Sequence, residues 1–172
     1  MKTIVVAEQK GIISRTLFEA LKLKGPAVIV NDTSVETGIK KPDYIIIHTK
    51  KARHFQAENG IVIFENDSTI SDDFSLSGNF TAIAFQENTE VMKYLKQQGF
   101  TTVTCGMSPK STLTISGRDD GCVSVCINRR INSVLPGECV VKYNKKYDDY
   151  TLLAVVAGLL CSCGYSETYL LP

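Results

Sequence analysis

The 172-residue sequence has no excess of charge of either sign. Nineteen Lys and Arg stand against eighteen Asp and Glu, a formal charge of +1. The balance is also local: residues 1–86 carry ten basic and ten acidic side chains, and residues 87–172 carry nine and eight. Neutralising nucleic-acid phosphates needs a basic surplus, so a nucleic-acid partner is not expected. Long apolar runs are missing too. The longest, Leu152 to Cys161, has ten residues and contains Gly158, against the roughly 20 that a bilayer span requires, so it reads as a buried helix and no membrane association is expected. The opening Met1-Lys2-Thr3-Ile4-Val5-Val6-Ala7-Glu8 is too short an apolar stretch for a signal peptide. The expected compartment is the cytoplasm, where thiols stay reduced. Repeats, low-complexity segments and linkers are absent, which predicts one domain over 1–172. Only two histidines are present, and a catalytic role for His48 or His54 would need a Ser, Cys or carboxylate beside it.

What is there is a succession of short apolar runs. Thr3–Ala7, Ala27–Val30, Tyr44–Ile47, Ile61–Phe64, Thr81–Phe85 and Thr101–Cys105 read as strands, separated by helical patterns from Ile12 to about Leu23 and from Glu87 to Gln98. Continuous runs, rather than strict in/out alternation, predict a mainly parallel six-stranded sheet buried on both faces by helices. The polar stretch 66–79 reads as a loop. After Gly106 the pattern alternates: Leu113–Ile115, Cys122–Ile127 and Cys139–Val141 predict a small antiparallel sheet, with a hairpin turn in Gly117–Gly121. A last helix over Asp149–Cys163, apolar nearly all round, closes at Gly164. The expected fold class is α/β, a Rossmann-like or P-loop-like part over 1–106, then antiparallel strands and a C-terminal helix over 107–172.

The six cysteines read mainly as buried structural thiols. The spacing Cys122-x₃-Cys126 loosely fits half of a zinc site, whereas Cys161-x-Cys163 does not, so no metal is expected. Lys50, Lys51, Arg53 and His54, like Arg129-Arg130, read as solvated basic faces. Asp119-Asp120 is turn chemistry, and Asp148-Asp149 a helix start favoured by the helix dipole.

A strand that ends in a polar turn and opens a helix is where a phosphate-binding loop belongs. Here that stretch is Val5-Val6-Ala7-Glu8-Gln9-Lys10-Gly11-Ile12-Ile13-Ser14-Arg15-Thr16. Together with Tyr44-Ile45-Ile46-Ile47-His48, Thr102-Val103-Thr104-Cys105-Gly106 and Tyr147-Asp148-Asp149-Tyr150-Thr151-Leu152-Leu153-Ala154-Val155-Val156-Ala157, the order of segments resembles the central ATP-binding domain of the Mur ligases, enzymes that add amino acids to peptidoglycan precursors. The resemblance spans almost the whole chain and rests on order and pattern more than on identities. It implies an ATP loop at 5–16, a metal-binding carboxylate at position 48, and further N- and C-terminal domains. With the sequence ending at Pro172, neither of these further domains is expected here.

The departures predict loss of ligase chemistry. On this alignment Glu8 replaces the first loop glycine, Gly11 keeps the second, Ile12 stands where the phosphate lysine belongs, and Ile13 takes the place of the Mg²⁺-binding hydroxyl, with only Ser14 following. His48 replaces the metal-binding glutamate, the family's Asp-His-Leu-Asp segment has no counterpart in 64–80, and Thr151 replaces the nucleotide-contacting Asn. The expected function is a non-catalytic Mur-ligase-like binding or regulatory module, acting on a protein partner or through self-association, with no cofactor. The alternative is a small-molecule or nucleotide-binding enzyme, using ATP and Mg²⁺ at the carboxyl edge of the parallel sheet around Lys10, Gly11, Ser14 and His48. A redox or metal protein built on the cysteines ranks last.

Overall fold

In the β-branched runs of the central strands, successive residues are buried on opposite faces, which commits the sheet to cover on both sides. The computed structural model describes residues 1–36, 41–51, 54–144 and 147–172; Arg53 of the basic cluster lies outside them. The described strands are β1 (Lys2–Ala7), β2 (Ala27–Val30), β3 (Val35–Glu36), β4 (Tyr44–Thr49), β5 (His54–Phe64), β6 (Ser75–Phe85), β7 (Thr101–Cys105), β8 (Leu113–Asp119), β9 (Cys122–Ile127), β10 (Gly137–Tyr143) and β11 (Thr168–Leu171). The helices are α1 (Ile12–Lys22), α2 (Thr89–Gln98) and α3 (Asp149–Cys163).

The six expected parallel strands are present, in the spatial order β7-β6-β5-β1-β4-β2. The antiparallel strands also follow, but as an extension of the same sheet. Leu113 of β8 pairs in parallel with Cys105 of β7, and β8, β9 and β10 then run antiparallel. The eleven described strands thus form one sheet, with β11 and β3 outermost.

Helix α3 explains why so long a sheet does not stay flat. It is buried from Tyr150 to Ser162, as a helix apolar all round must be. It packs on α1 and on β5, β6, β7 and β8, while β11 touches α1, so the sheet curls around α3. Leu152, Leu153, Val155, Val156, Leu159 and Leu160 are all within 2% of full burial, each contributing about 1.5–3 kcal/mol. Asp148 starts the helix by accepting from Thr151 N at 2.8 Å and Thr151 Oγ1 at 2.6 Å. Asp149 pairs with Arg118.

The opposite face departs from the sequence expectation. Thr49 and Phe64 both pair with Ala7 at the carboxyl end of β1, and Gly60 pairs with Thr3 near its start. Both β4→β5 and β5→β6 must therefore return across the sheet, a task usually given to a helix. Here the two returning segments are extended and pair with each other in parallel, His54–Ala57 against Ser75–Gly78. Residues 75–79, expected in a loop, are strand, and His54, exposed as a solvated face requires, stands at the start of β5. Phe55, Ala57 and Leu76 from this ribbon pack with Val5, Val62, Phe64, Phe74 and Phe80, beside Val91 and Leu95 of α2. Gly78, at φ +102, makes the close approach possible, since a Cβ there would sit 2.0 Å from the Ala57 carbonyl oxygen. No helix among the described residues is long and apolar enough to cross a membrane.

Candidate functional site

The carboxyl ends of β4, β1 and β5 lie side by side. The chain leaves β1 toward β2 on one side and later crosses β1 to reach β5 on the other, which makes this the switch point where open α/β sheets bind ligands. The loop Glu8–Gly11 leaves β1 here. Gly11 precedes α1 in the left-handed conformation, φ +74 and ψ 18, and offers no capping side chain. That leaves the first N–H groups of α1 without partners inside the helix.

Glu8 supplies them. Its side chain turns back over the helix start, where Oε2 accepts from Ile13 N at 2.9 Å and Oε1 from Ser14 N at 2.7 Å. Glu8 is only 2% exposed. A carboxylate is thus seated on the partial positive charge of a helix N-terminus, the place and the donors that a phosphate takes in a working loop. The rest of the loop is pinned as well. Glu8 N donates to Thr49 O at 3.1 Å, Gln9 N to Glu65 Oε2 at 2.8 Å, and Gln9 Nε2 to Lys50 O at 3.2 Å.

Of the residues singled out in the sequence, Gly11, Ser14 and His48 meet around Glu8 and Lys10 does not. His48 is bonded through Nε2 to the Glu8 carbonyl oxygen at 3.1 Å. Because a carbonyl only accepts, Nε2 carries the proton. A Cβ on Gly11 would lie 3.6 Å from the His48 ring, so the imidazole packs under the turn. Ser14 is buried, and its hydroxyl makes a long contact of 3.4 Å to Gly11 O. Lys10 is exposed. Reading Glu8 only as the replacement of a loop glycine missed this geometry. An uncapped glycine before a helix, with a glutamate three residues upstream, is the signal that could have found it.

Beside the loop lies a cavity of about 400 Å³ between Ala7–Gln9, Lys50, Lys51 and the segment Phe64–Phe74. Its lining includes the exposed Lys50 and Lys51 and the carboxylates Glu65, Asp67 and Asp73. Ser68 Oγ, donating to Ala7 O at 3.2 Å, and Glu65 N, donating to the same oxygen at 3.0 Å, tie the overhanging segment to β1.

Comparison with solved structures finds the same architecture in peptidoglycan ligases. The MurF ligase from Thermotoga maritima, solved in complex with ADP, superposes with a TM-score of 0.63 at 10% identity over 96% of this chain. The chain folds as a Mur ligase does. A murein peptide ligase from Psychrobacter arcticus gives 0.60 at 14% identity over 97%. The UDP-N-acetylmuramate:L-alanyl-gamma-D-glutamyl-meso-diaminopimelate ligase from Neisseria meningitides gives 0.59 at 12% over 96%. The chain spans 45%, 44% and 62% of these proteins' lengths, respectively. At such identities the likeness is one of fold. No protein-family model matches the sequence, and no curated sequence matches it significantly.

The cysteines do not converge. Cys122 and Cys126 are four residues apart on extended β9, about 13 Å at ~3.3 Å per residue. Two thiolates sharing a zinc ion lie about 4 Å apart, so this spacing cannot form one half-site. Among the described residues, no group of three or more His, Cys, Asp and Glu is placed to hold a metal ion. Burial pushes the Cys139 thiol up to about 11 and Cys161 to about 12, and raises Cys105 as well, so these three stay protonated and unreactive at neutral pH. Cys163 is exposed and shares a 3.4 Å contact with the Tyr44 hydroxyl. Titration with dithiobis(nitrobenzoate) should therefore modify Cys163 first in the native protein, with Cys105, Cys139 and Cys161 protected, and count six thiols once the chain is unfolded. A fast phase that survives Cys163→Ser would contradict this assignment.

Proposed function

We propose that this chain is a non-catalytic binding or regulatory module of the cytoplasm, built on a Mur-ligase-like frame whose phosphate loop is filled from within. The observation that carries this reading is the Glu8 carboxylate on Ile13 N and Ser14 N. A nucleotide phosphate entering the loop would have to evict a buried carboxylate from its two donors. With the carboxylate retained, like charges at ~4 Å repel by about 1 kcal/mol in water and more in a drier site. The residues that would offset this are missing. Ile12, half exposed at the first position of α1, stands where a lysine would neutralise phosphate, and His48 is committed to a backbone carbonyl instead of a metal. ATP and Mg²⁺ therefore do not fit the loop as it stands, and no ligation step is assigned to it.

Isothermal titration with Mg-ATP should show no binding to the wild type or to Ile12→Lys, because the single lysine still meets Glu8 and lacks a metal carboxylate. ATP-dependent amide ligation should be undetectable. Micromolar ATP affinity in the unmodified protein would overturn the reading.

The cavity beside the loop favours a second reading, a small-molecule enzyme working at the same sheet edge with the lysines and carboxylates of that lining. Thermal-shift titration separates the two. A ligand among ATP, ADP and UDP-sugars present at 100 times its dissociation constant would stabilise the fold by about 2.7 kcal/mol, and a flat response favours the module.

A further inference from the structure

The antiparallel end of the sheet has one covered face and one open face. Val123, Val125 and Ile127 of β9 and Cys139 and Val141 of β10 are buried in the core that α3 organises. The residues between them point the other way. These are Cys122, Ser124 and Cys126 on β9 and Glu138, Val140 and Lys142 on β10, all half-buried or exposed. The ribbon and α2 cover that side of the sheet at β5 and β6, but the second core they build draws, among the described residues, on none from β8–β11. An antiparallel sheet usually turns polar and charged side chains to water on its open face. Here the middle carries Val140 between uncharged neighbours, and Leu170 of β11, 59% exposed, continues it beside Lys142. Among the outward residues of these four strands, charge is confined to Asp119 at the hairpin tip and to Glu138 and Lys142, which flank Val140 two residues to either side. The register sets Ser124 against Val140, Cys126 against Glu138 and Cys122 against Lys142.

We propose that two copies of this chain associate through the open face, stacked about a two-fold axis that crosses β10 at Val140. Such an axis inverts the strand direction, so Glu138 of one copy meets the partner's Lys142 and Lys142 meets the partner's Glu138, while Val140 meets its own counterpart. The face is its own electrostatic complement, as an isologous contact requires. Charge is also sparse at its centre, where protein interfaces deplete it. Four strands about 4.8 Å apart and about 3.3 Å per residue over the seven residues of β8 and of β10 give a face of roughly 19 by 23 Å. Two such faces bury on the order of 900 Å², below the roughly 1,200 Å² of stable complexes, which sets the expectation of a weak, reversible dimer. The face shares no residue with the loop or its cavity, so this inference stands or falls apart from the reading of Glu8.

Sedimentation equilibrium of the full chain, from micromolar to near-millimolar concentration, should show a monomer–dimer equilibrium. Glu138→Lys and Lys142→Glu, both at exposed positions, should each weaken it by about tenfold or more, since like charges then face each other across the axis. Glu138→Lys/Lys142→Glu should restore association to within about threefold of the wild type, because the exchanged charges again meet their opposites. This recovery belongs to a second copy alone, since a partner of fixed charge would be lost in the double exchange as in the single ones. A chain that stays monomeric throughout, a dimer that the single reversals leave intact, as pairing along the β11 edge would, or a double exchange that fails to restore it would overturn the proposal.

Discussion

Glu8→Ala should destabilise the protein by about 3 kcal/mol. The truncation leaves two buried donors, Ile13 N and Ser14 N, without their acceptor, and a hydrogen bond to a charged group contributes roughly 1.5–3 kcal/mol. The carboxylate's attraction to the helix start is lost with them. For a chain of this size about 3 kcal/mol lowers the melting temperature by roughly 6–12 °C, readable by calorimetry. Glu8→Gln should fall between the two, because its amide keeps one acceptor oxygen and turns an NH₂ toward the other donor. A Glu8→Ala protein melting within a degree of the wild type would mean that water fills the seat at no cost, and the carboxylate would lose its structural role.

Gly78→Ala should be at least as damaging, about 3 kcal/mol or more. A positive φ costs a non-glycine residue on the order of 1–3 kcal/mol, and the new methyl would lie 2.0 Å from the Ala57 carbonyl oxygen, far inside contact distance. The ribbon cannot shift to relieve it without exposing Phe55 and Leu76 from the second core. Hydrogen exchange should localise the damage: amides of His54–Ala57 and Ser75–Gly78 lose protection, while those of β1 and β4 change only with global stability. Unchanged protection in the ribbon would show that its two segments do not depend on this close approach.

Much of the frame was legible because its strands are buried on both faces. Thr81–Phe85 and Thr101–Cys105 could be read as continuous runs, and Asp149–Cys163 was placed correctly because an apolar helix with an aspartate before it and a glycine after it has few alternatives. The ribbon was not legible. Apart from Leu76, Ser75-Leu76-Ser77-Gly78 consists of turn formers, and it is held extended by its partner 21 residues upstream and by the core beneath Leu76. β11 escaped for the same reason: four residues ending before Pro172 form a strand because Tyr169 and Leu171 fill the core that α3 organises. At the loop, the sequence exposed which phosphate-binding groups are gone. It could not show that Glu8 folds back rather than forward, since that choice is made by the unpaired N–H groups of α1 and by the backbone bonds that hold residues 8 and 9 in place.

The position of that carboxylate is tested most directly by titrating wild type and Glu8→Ala with inorganic phosphate while observing the Ile13 and Ser14 amides. With the seat filled, the wild-type resonances should not move. In Glu8→Ala the vacated helix start should take phosphate, shifting both amides saturably and raising the melting temperature toward the wild-type value. Phosphate shifting these amides equally in both proteins would contradict an internally occupied loop.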